Sequence, residues 1–415
     1  MHKGIRAGPS PPEPPFSLAA PRTPTNTALR CTPFFPVRFT APMPHPHALR
    51  LPSNPFSPER VPTPRLVFWE TTGGCNLRCV HCRREWDQAP PNELSTDQAK
   101  RWIIDAIADA GWGSILVFSG GEPLMRPDLF ELLEHARTRG VIPALATNAT
   151  LIDEPIARRL ASLGVPRASV SLDGANAQTH DAFRGLPGSF DDALRGIHAL
   201  RQAGIQVQIN VTFTKKNRDD APAMLDLVHK LDACALHIFL LVPVGCGVDL
   251  PEEIRLEPSE VEKLLTYFDA EASARDLEIR ATCAPQAQRI RAQRARDRER
   301  KGLPPARGLA PSSKGCLAGG GIIFIDAVGK AFPCGYLPLS VGDLRTQPLA
   351  RILQESKLLA SLRDTSLLQG RCHGCAWAPS CGGCRARAFG TSSELFGEEP
   401  SCPMQNTEQQ PARQT

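Results

Sequence analysis

A chain of 415 residues with a net charge of +5 is long enough for two or three domains and carries no strong electrostatic field. Its basic residues are dispersed and its aromatics few, which argues against a nucleic-acid-binding surface. No apolar run approaches the roughly 18–20 residues of a membrane span, so membrane insertion is not expected.

Residues 1–64 hold 17 of the 40 prolines and only two acidic residues, with no hydrophobic periodicity. They also lack the continuous apolar core, roughly 7–15 residues, of a secretory signal. Residues 1–61 are therefore expected to be a disordered extension outside the fold, with Met43 a candidate start. A cytoplasmic, reducing setting follows as an expectation, in which clustered cysteines ligate metal rather than pair as disulfides.

From residue 62 the pattern alternates. "RLVFWET" reads as a strand and "STDQAKRWIIDAIADAG" as a helix capped by Ser95. "SILVFSG" is a second strand, followed by the helix "RPDLFELLEHARTRG" ending at Gly140. Strands "VIPALATN" and "RASVSLDG" flank the helix "DEPIARRLASLG". The series continues with helix "SFDDALRGIHALRQAG", strand "IQVQINVTFT", helix "APAMLDLVHKLDA", strand "LHIFLLVPVG" and the long helix "EPSEVEKLLTYFDAEASARD". Six strands separated by helices imply a parallel sheet. Such sheets carry their chemistry on loops at the carboxyl ends of the strands. A cysteine loop, "GGEP", "TN" and "SLDG" follow the first four strands in turn, so one rim carries every polar motif.

Residues 286–315 read as a basic linker containing the helical run "RIRAQRARDRERKG", either a solvated helix or a grip for an acidic molecule. Residues 316–403 are rich in glycine and cysteine with little periodicity, a segment expected to be held by metal more than by an apolar core. Residues 404–415 read as a disordered tail.

Ten of the 14 cysteines fall in two groups. The first is Cys75-x3-Cys79-x2-Cys82. Three thiolates on one loop can each hold one iron of a 4Fe–4S cube and leave the fourth open. Zinc needs a fourth ligand, and His81, wedged between two of the cysteines, is cramped for it. The second group runs Cys316, Cys334, Cys372, Cys375, Cys381, Cys384 and Cys402. A pair of zinc ribbons is its alternative reading.

The first group after strand one, with "GGEP" after strand two, resembles the radical S-adenosylmethionine superfamily over roughly residues 65–285. The resemblance implies a partial (β/α)6 TIM-type barrel whose open iron chelates the amino and carboxylate groups of S-adenosylmethionine. By the same resemblance Gly120, Gly121 and Glu122 would receive the amino group, with Glu122 as its charge partner. His81 would pack near the adenine, Ser171 and Asp173 would contact ribose or carboxylate, Arg184 would hold the methionine carboxylate, and Asn148 is a further contact. The second group is similar to the SPASM domain, a small cysteine-rich module for auxiliary 4Fe–4S clusters, with two residues between Cys381 and Cys384 where that pattern has three. It implies two clusters: Cys372, Cys375, Cys381 and Cys402 for one, and Cys316, Cys334 and Cys384 for the other. The spare iron of the latter would bind substrate or be capped from outside the module, Cys283 being a candidate.

"HDAFRG", "HIFLLVPVG", "ATCAP", "GCLAGGGIIFI" and "PCGYLP" are further similar to the alternative haem-biosynthesis branch. That branch takes in S-adenosylmethionine-dependent haem synthases, didecarboxysiroheme deacetylases and haem d1 proteins. It implies an oxidoreductase or decarboxylase acting on tetrapyrrole propionates, in the manner of Fe-coproporphyrin III going to haem b, with the basic segment gripping the carboxylates. A flavodoxin- or ferredoxin-like electron donor is implied. Two other classes stay open: a maturase of a ribosomally made peptide, and a non-catalytic Fe–S electron carrier.

Overall fold

The computed structural model describes residues 63–84, 88–275, 277–305, 308–310 and 314–404. The proline-rich extension and the tail beyond Met404 lie outside the described residues.

The six expected strands are present: β1 (Leu66–Thr72), β2 (Ile115–Gly120), β3 (Ile142–Thr147), β4 (Arg167–Ser171), β5 (Gln206–Phe213) and β6 (Ala235–Leu240). They lie side by side in that order, all parallel. Two additions extend them. β7 (Glu278–Thr282) pairs in parallel with β6 at one end, and β8 (Ile322–Ile325) pairs in parallel with β1 at the other. β9 (Lys330–Phe332) and β10 (Gly342–Asp343) then add antiparallel, completing a sheet of ten strands.

Helices follow the strands as crossovers. α1 (Thr96–Ala99) and α2 (Ala106–Asp109) are joined by a wider π-helical turn at Lys100–Asp105, where the sequence reads as one helix. Ser95 caps it as expected, in a reciprocal box with Gln98. Next come α3 (Leu129–Thr138), α4 (Glu154–Ser162), α5 (Ala177–Arg184), α6 (Ser189–Gln202), α7 (Ala221–Lys230) and α8 (Pro258–Ala274). Their apolar sides cover one face of the sheet, where Trp69, Leu116, Ile209 and Leu236 are fully buried. Each such side chain contributes about 1.5–3 kcal/mol by leaving water. Alternate residues point to the other face, which is half-buried and polar: Ser171, Asn210, His237 and Arg280 occupy paired positions of β4 to β7.

The basic segment forms α9 (Gln286–Arg300), buried along its first turns and exposed toward its end. It packs on α8, where Arg289 pairs with Glu262 and Arg294 with Asp269, which is nearly fully buried. Arg296 lies over the Trp377 ring at 5.0 Å. Arg289 and Arg294 are thus tied into the fold, while Arg296 stays exposed.

The C-terminal segment, expected to be held by metal more than by an apolar core, also contributes apolar packing. Leu349 and Ile352 of α10 (Leu349–Glu355) and Leu359 of α11 (Lys357–Arg363) join the main core. Short elements conceal this, because seven residues show too little of a helical period. The final helix, α12 (Arg385–Ser392), packs with Leu362 of α11 in a second, smaller cluster with the cysteines.

Candidate active site

Gly73 to Arg84 form the loop that carries the first three thiols. Neighbouring strand ends grip it from several sides. Gly121 N–H donates to Thr72 O at 2.8 Å and Glu122 N–H to Gly74 O at 2.8 Å, which ties the loop to the "GGE" turn. A Cβ on Gly121 would lie 2.0 Å from Gly74 O, so the glycine is required by this backbone contact. Gly121→Ala is expected to push the loop away, costing about 1–3 kcal/mol and lowering iron per chain, read by thermal melt and iron assay.

On the opposite side, Val80 N–H donates to Phe183 O at 3.0 Å, docking the end of α5 on the loop. Gly185 ends α5 at φ +70°, and a Cβ there would lie 2.6 Å from Arg78 O. Cys246 N–H donates to Cys82 O at 2.8 Å from the loop after β6. Arg84, itself buried, ties the loop internally through Gly73 O at 3.1 Å and Leu77 O at 2.8 Å.

The thiols lie in a partly buried setting with donors aimed at sulfur. Leu77 N–H approaches Cys75 Sγ at 3.4 Å, Asn148 Nδ2 the same sulfur at 3.9 Å, and Arg184 Nη1 Cys79 Sγ at 3.5 Å. Burial pushes the Cys75 thiol up to about 11. It raises Cys79 too, against the opposing pull of Arg184. Cys75 and Cys79 are therefore protonated as free thiols at neutral pH, and metal binding would displace those protons.

Arg184 links the loop to "SLDG". Its Nη2 stands 2.7 Å from Asp173 Oδ2, and His81 Nε2 approaches the same oxygen at 3.2 Å. Burial penalises the Asp173 charge, but Arg184 and His81 outweigh it and hold the carboxyl well below its usual range. Asp173 Oδ1 accepts from Thr212 N–H at 2.8 Å, and its own N–H donates to His180 Nδ1 at 3.1 Å. The His81 ring stacks edge-on against Phe183 at 5.5 Å. His81, Asp173, Arg184 and Cys79 thus form one buried network, and Ser171 lies at the end of β4 beside it.

Glu122 is fully buried. Its carboxylate accepts from Thr147 Oγ1 at 2.8 Å, Asn148 N–H at 2.8 Å and Leu124 N–H at 3.3 Å. Burial raises its pKa to about 7 despite these donors. Asn148 donates from its side chain to Asn76 Oδ1 at 2.8 Å, joining Glu122 to the cysteine loop.

These residues fit a bound cluster with an attached ligand. His81 Nδ1 and Arg184 Nε are buried at the loop with no hydrogen-bond partner. Among the described residues no three His, Cys, Asp or Glu side chains close on a single ion, whereas a cluster spreads its ligands over several irons.

The second group separates into two sites. Cys372, Cys375, Cys381 and Cys402 line one cavity, whose wall includes Gln286 with both amide atoms buried and unpartnered. Cys316, Cys334 and Cys384 pack together in the smaller apolar cluster, with Cys283 beside them. The buried Arg387–Glu399 pair, at 2.9 Å, ties the module to the end of β6 through Leu241 O at 3.2 Å. Both cysteine groups meet near Arg83. This side chain pairs with Glu70 at 3.2 Å, covers the Phe324 ring at 4.3 Å and lies 3.3 Å from the Cβ position of Gly335. Tyr336, next along, is held well above its usual pKa by burial and by the Cys283 thiol; Arg83 opposes the shift, while Cys334 and Cys82 add to it.

Sequence reading missed the polar row on the inner face of the sheet. Asn210 is opposite Ser171 and His237, and His237 is opposite Arg280. Gln208 donates to Asn210 Oδ1 at 2.7 Å. Burial, then Arg280, lowers His237 to about 3, so its ring is neutral, and its buried Nε2 has no partner. The signal was available: Gln208, Asn210 and Thr212 recur at the two-residue period of a strand.

Comparison with known proteins agrees with this geometry. The Radical SAM superfamily pattern matches residues 69–228, and an iron-sulfur cluster-binding domain pattern, SPASM, matches residues 316–385. The chain is 43% identical over 340 residues to an AdoMet-dependent heme synthase of Methanosarcina barkeri, covering 82% of this chain and 96% of that one. It is 40% identical to another of that name from Nitratidesulfovibrio vulgaris, covering 85% and 95%. A pre-heme d1 synthase of Dinoroseobacter shibae is 31% identical, covering 85% and 89%. In fold, it matches Streptococcus suis SuiB bound to S-adenosylmethionine, with a TM-score of 0.64 at 17% identity over 82% of this chain and 77% of that one. It also matches anSMEcpe with bound AdoMet, with a TM-score of 0.62 at 18% identity over 81% and 93%. A likeness that covers 82–85% of this chain and 95–96% of two AdoMet-dependent heme synthases, together with the two family patterns, places this chain in the radical S-adenosylmethionine superfamily, as an enzyme of its haem-biosynthesis branch with a SPASM domain.

Proposed function

We propose that the enzyme decarboxylates two propionates of Fe-coproporphyrin III to the vinyl groups of haem b. The observation that carries the reading is the 43% identity, over 96% of its length, to an AdoMet-dependent heme synthase. Each turnover removes a hydrogen atom, a CO2 and one electron from a propionate carboxylate, leaving a vinyl. Cys75, Cys79 and Cys82 would hold an iron–sulfur cluster which, with S-adenosylmethionine bound, would supply the one-electron chemistry that takes the hydrogen atom.

The chain's own residues bind, orient and exclude water. Glu122 stands where a cationic amino group would draw its carboxyl into the charged form, since its pKa of about 7 leaves it poised between states. Gly120 and Gly121 keep that turn close to the cysteine loop. Arg184, fixed by Asp173, offers its unpartnered Nε to a carboxylate. His81, Ser171 and Asn148 complete the rim around the same ligand. On the inner face, neutral His237 has an unpartnered nitrogen to orient the substrate. The electron left after CO2 departure needs a sink, and two auxiliary clusters in the SPASM module would provide one; a flavodoxin or ferredoxin is the proposed donor to the first.

Anaerobic incubation of the reconstituted enzyme with Fe-coproporphyrin III, S-adenosylmethionine and reductant should give haem b with two 5′-deoxyadenosines and two CO2. 5′-Deoxyadenosine without change in the porphyrin overturns this reading in favour of another substrate, such as a peptide; a mycofactocin maturase of Mycolicibacterium smegmatis is 31% identical. No 5′-deoxyadenosine at all would point to an electron carrier.

A further inference from the structure

The module from Cys316 to Cys402 supplies seven thiols, whereas two 4Fe–4S clusters ligated wholly by protein need eight. Four of the seven line the cavity beside Gln286, so Cys316, Cys334 and Cys384 are one ligand short. A fourth thiol reaches them from outside the module. Cys283 follows directly on β7 and lies in the same buried cluster as Cys384. It packs with Cys316, Cys334 and Cys384 in the smaller cluster, around Val242, Ala318 and Leu337.

The backbone is arranged to put it there. Cys283 has φ +53°, a left-handed conformation that a non-glycine residue holds only when its surroundings impose it. Arg387 Nη2 donates to Cys283 O at 2.5 Å, and the same guanidinium pairs with Glu399 at 2.9 Å. Glu399 in turn accepts from Cys384 N–H at 2.6 Å. One buried ion pair therefore fixes the carbonyl of Cys283 and the amide of Cys384 together.

We propose that Cys283 is the fourth protein ligand of the auxiliary cluster held by Cys316, Cys334 and Cys384. The inference rests on the auxiliary-cluster reading above. A cluster closed by four thiolates has no iron for substrate, so it can take an electron but cannot anchor a propionate. Substrate carboxylates then fall to the side chains of the barrel's inner face.

The test uses full-length, anaerobically reconstituted enzyme saturated with S-adenosylmethionine, so that the first cluster's open iron is occupied. Cyanide added to the reduced protein should leave the auxiliary electron-paramagnetic signals of the parent unmoved. In Cys283→Ala, one auxiliary signal should shift with cyanide, or about one iron per chain should be lost with a three-iron signal appearing on oxidation. Cys283→Ser should retain the iron with an altered spectrum. A parent signal that moves with cyanide overturns the proposal, and this holds even if the variants do not fold. So does a Cys283→Ala protein with the parent's iron content, spectrum and indifference to cyanide. A parent with iron for the first cluster alone sinks the auxiliary-cluster reading itself, a result distinct from either.

Discussion

Cys79→Ser is expected to abolish 5′-deoxyadenosine formation, by about 10³-fold or more, equivalent to about 4 kcal/mol of lost transition-state stabilisation. Cys79 is the most buried of the three loop thiols and the one that Arg184 contacts at 3.5 Å, so its loss removes a ligand and leaves a guanidinium facing an empty position. Iron should fall by about four atoms per chain as the first cluster fails to assemble. Cys234→Ser is the control, since Cys234 precedes β6 and its N–H is engaged by Val207 O at 2.8 Å, away from the rim. Iron content by colorimetric assay and 5′-deoxyadenosine by chromatography decide it. A Cys79→Ser protein that keeps both would mean that the thiols are not the cluster's ligands.

Breaking the buried pair is expected to damage stability more than any surface change. Asp173 and Arg184 are both buried, 2.7 Å apart, and removing one partner strands the other's charge. Arg184→Met or Asp173→Asn should each cost about 3–5 kcal/mol, lowering Tm by about 5–15 °C. The double variant should lose clearly less than the sum, because no uncompensated charge remains. The pH dependence has a definite sign. Asp173 titrates well below its ordinary value in the folded chain, so the pair's contribution is fully present above the unfolded carboxylate pKa of about 3.9 and is lost as pH falls through the folded one. In Arg184→Met the stranded Asp173 loses the charge that holds its pKa down, so it is neutralised more readily and the Tm difference from the parent should shrink on acidification. A difference that grows as pH falls would rule out this carboxylate as its source.

The parallel arrangement of the first six strands was legible because helical runs separate them and each of the first four ends in a polar motif, a coincidence of ends that specifies a shared rim. β7 was not. Its residues Glu278, Arg280 and Thr282 alternate with Ile279 and Ala281, and in so short a run the charges mask the apolar period. β8 was quoted only as part of a glycine-rich phrase, because nothing local announces that Ile322–Ile325 will lie against β1. The cysteine spacing marked the loop after β1, because Cys75, Cys79 and Cys82 crowd into one short stretch. The salt-linked network of His81, Asp173 and Arg184 depends on where α5 docks, and sequence alone does not carry that. Likewise the burial of Glu122 follows from the closeness of the "GGE" turn to Gly74, a contact between separate loops.

The position of β1 in the sheet has a temporal consequence. Leu66 and Trp69 pair on one side with β2 and on the other with β8, so the strand that launches the cysteine loop has its second neighbour in Ile322–Ile325. During synthesis that partner emerges about 10–50 s after β1, at ordinary elongation rates. Until then the strand keeps one row of backbone donors and acceptors uncovered. Nascent chains that end before Ile322 therefore leave the strand that leads into the cysteine loop without its second neighbour.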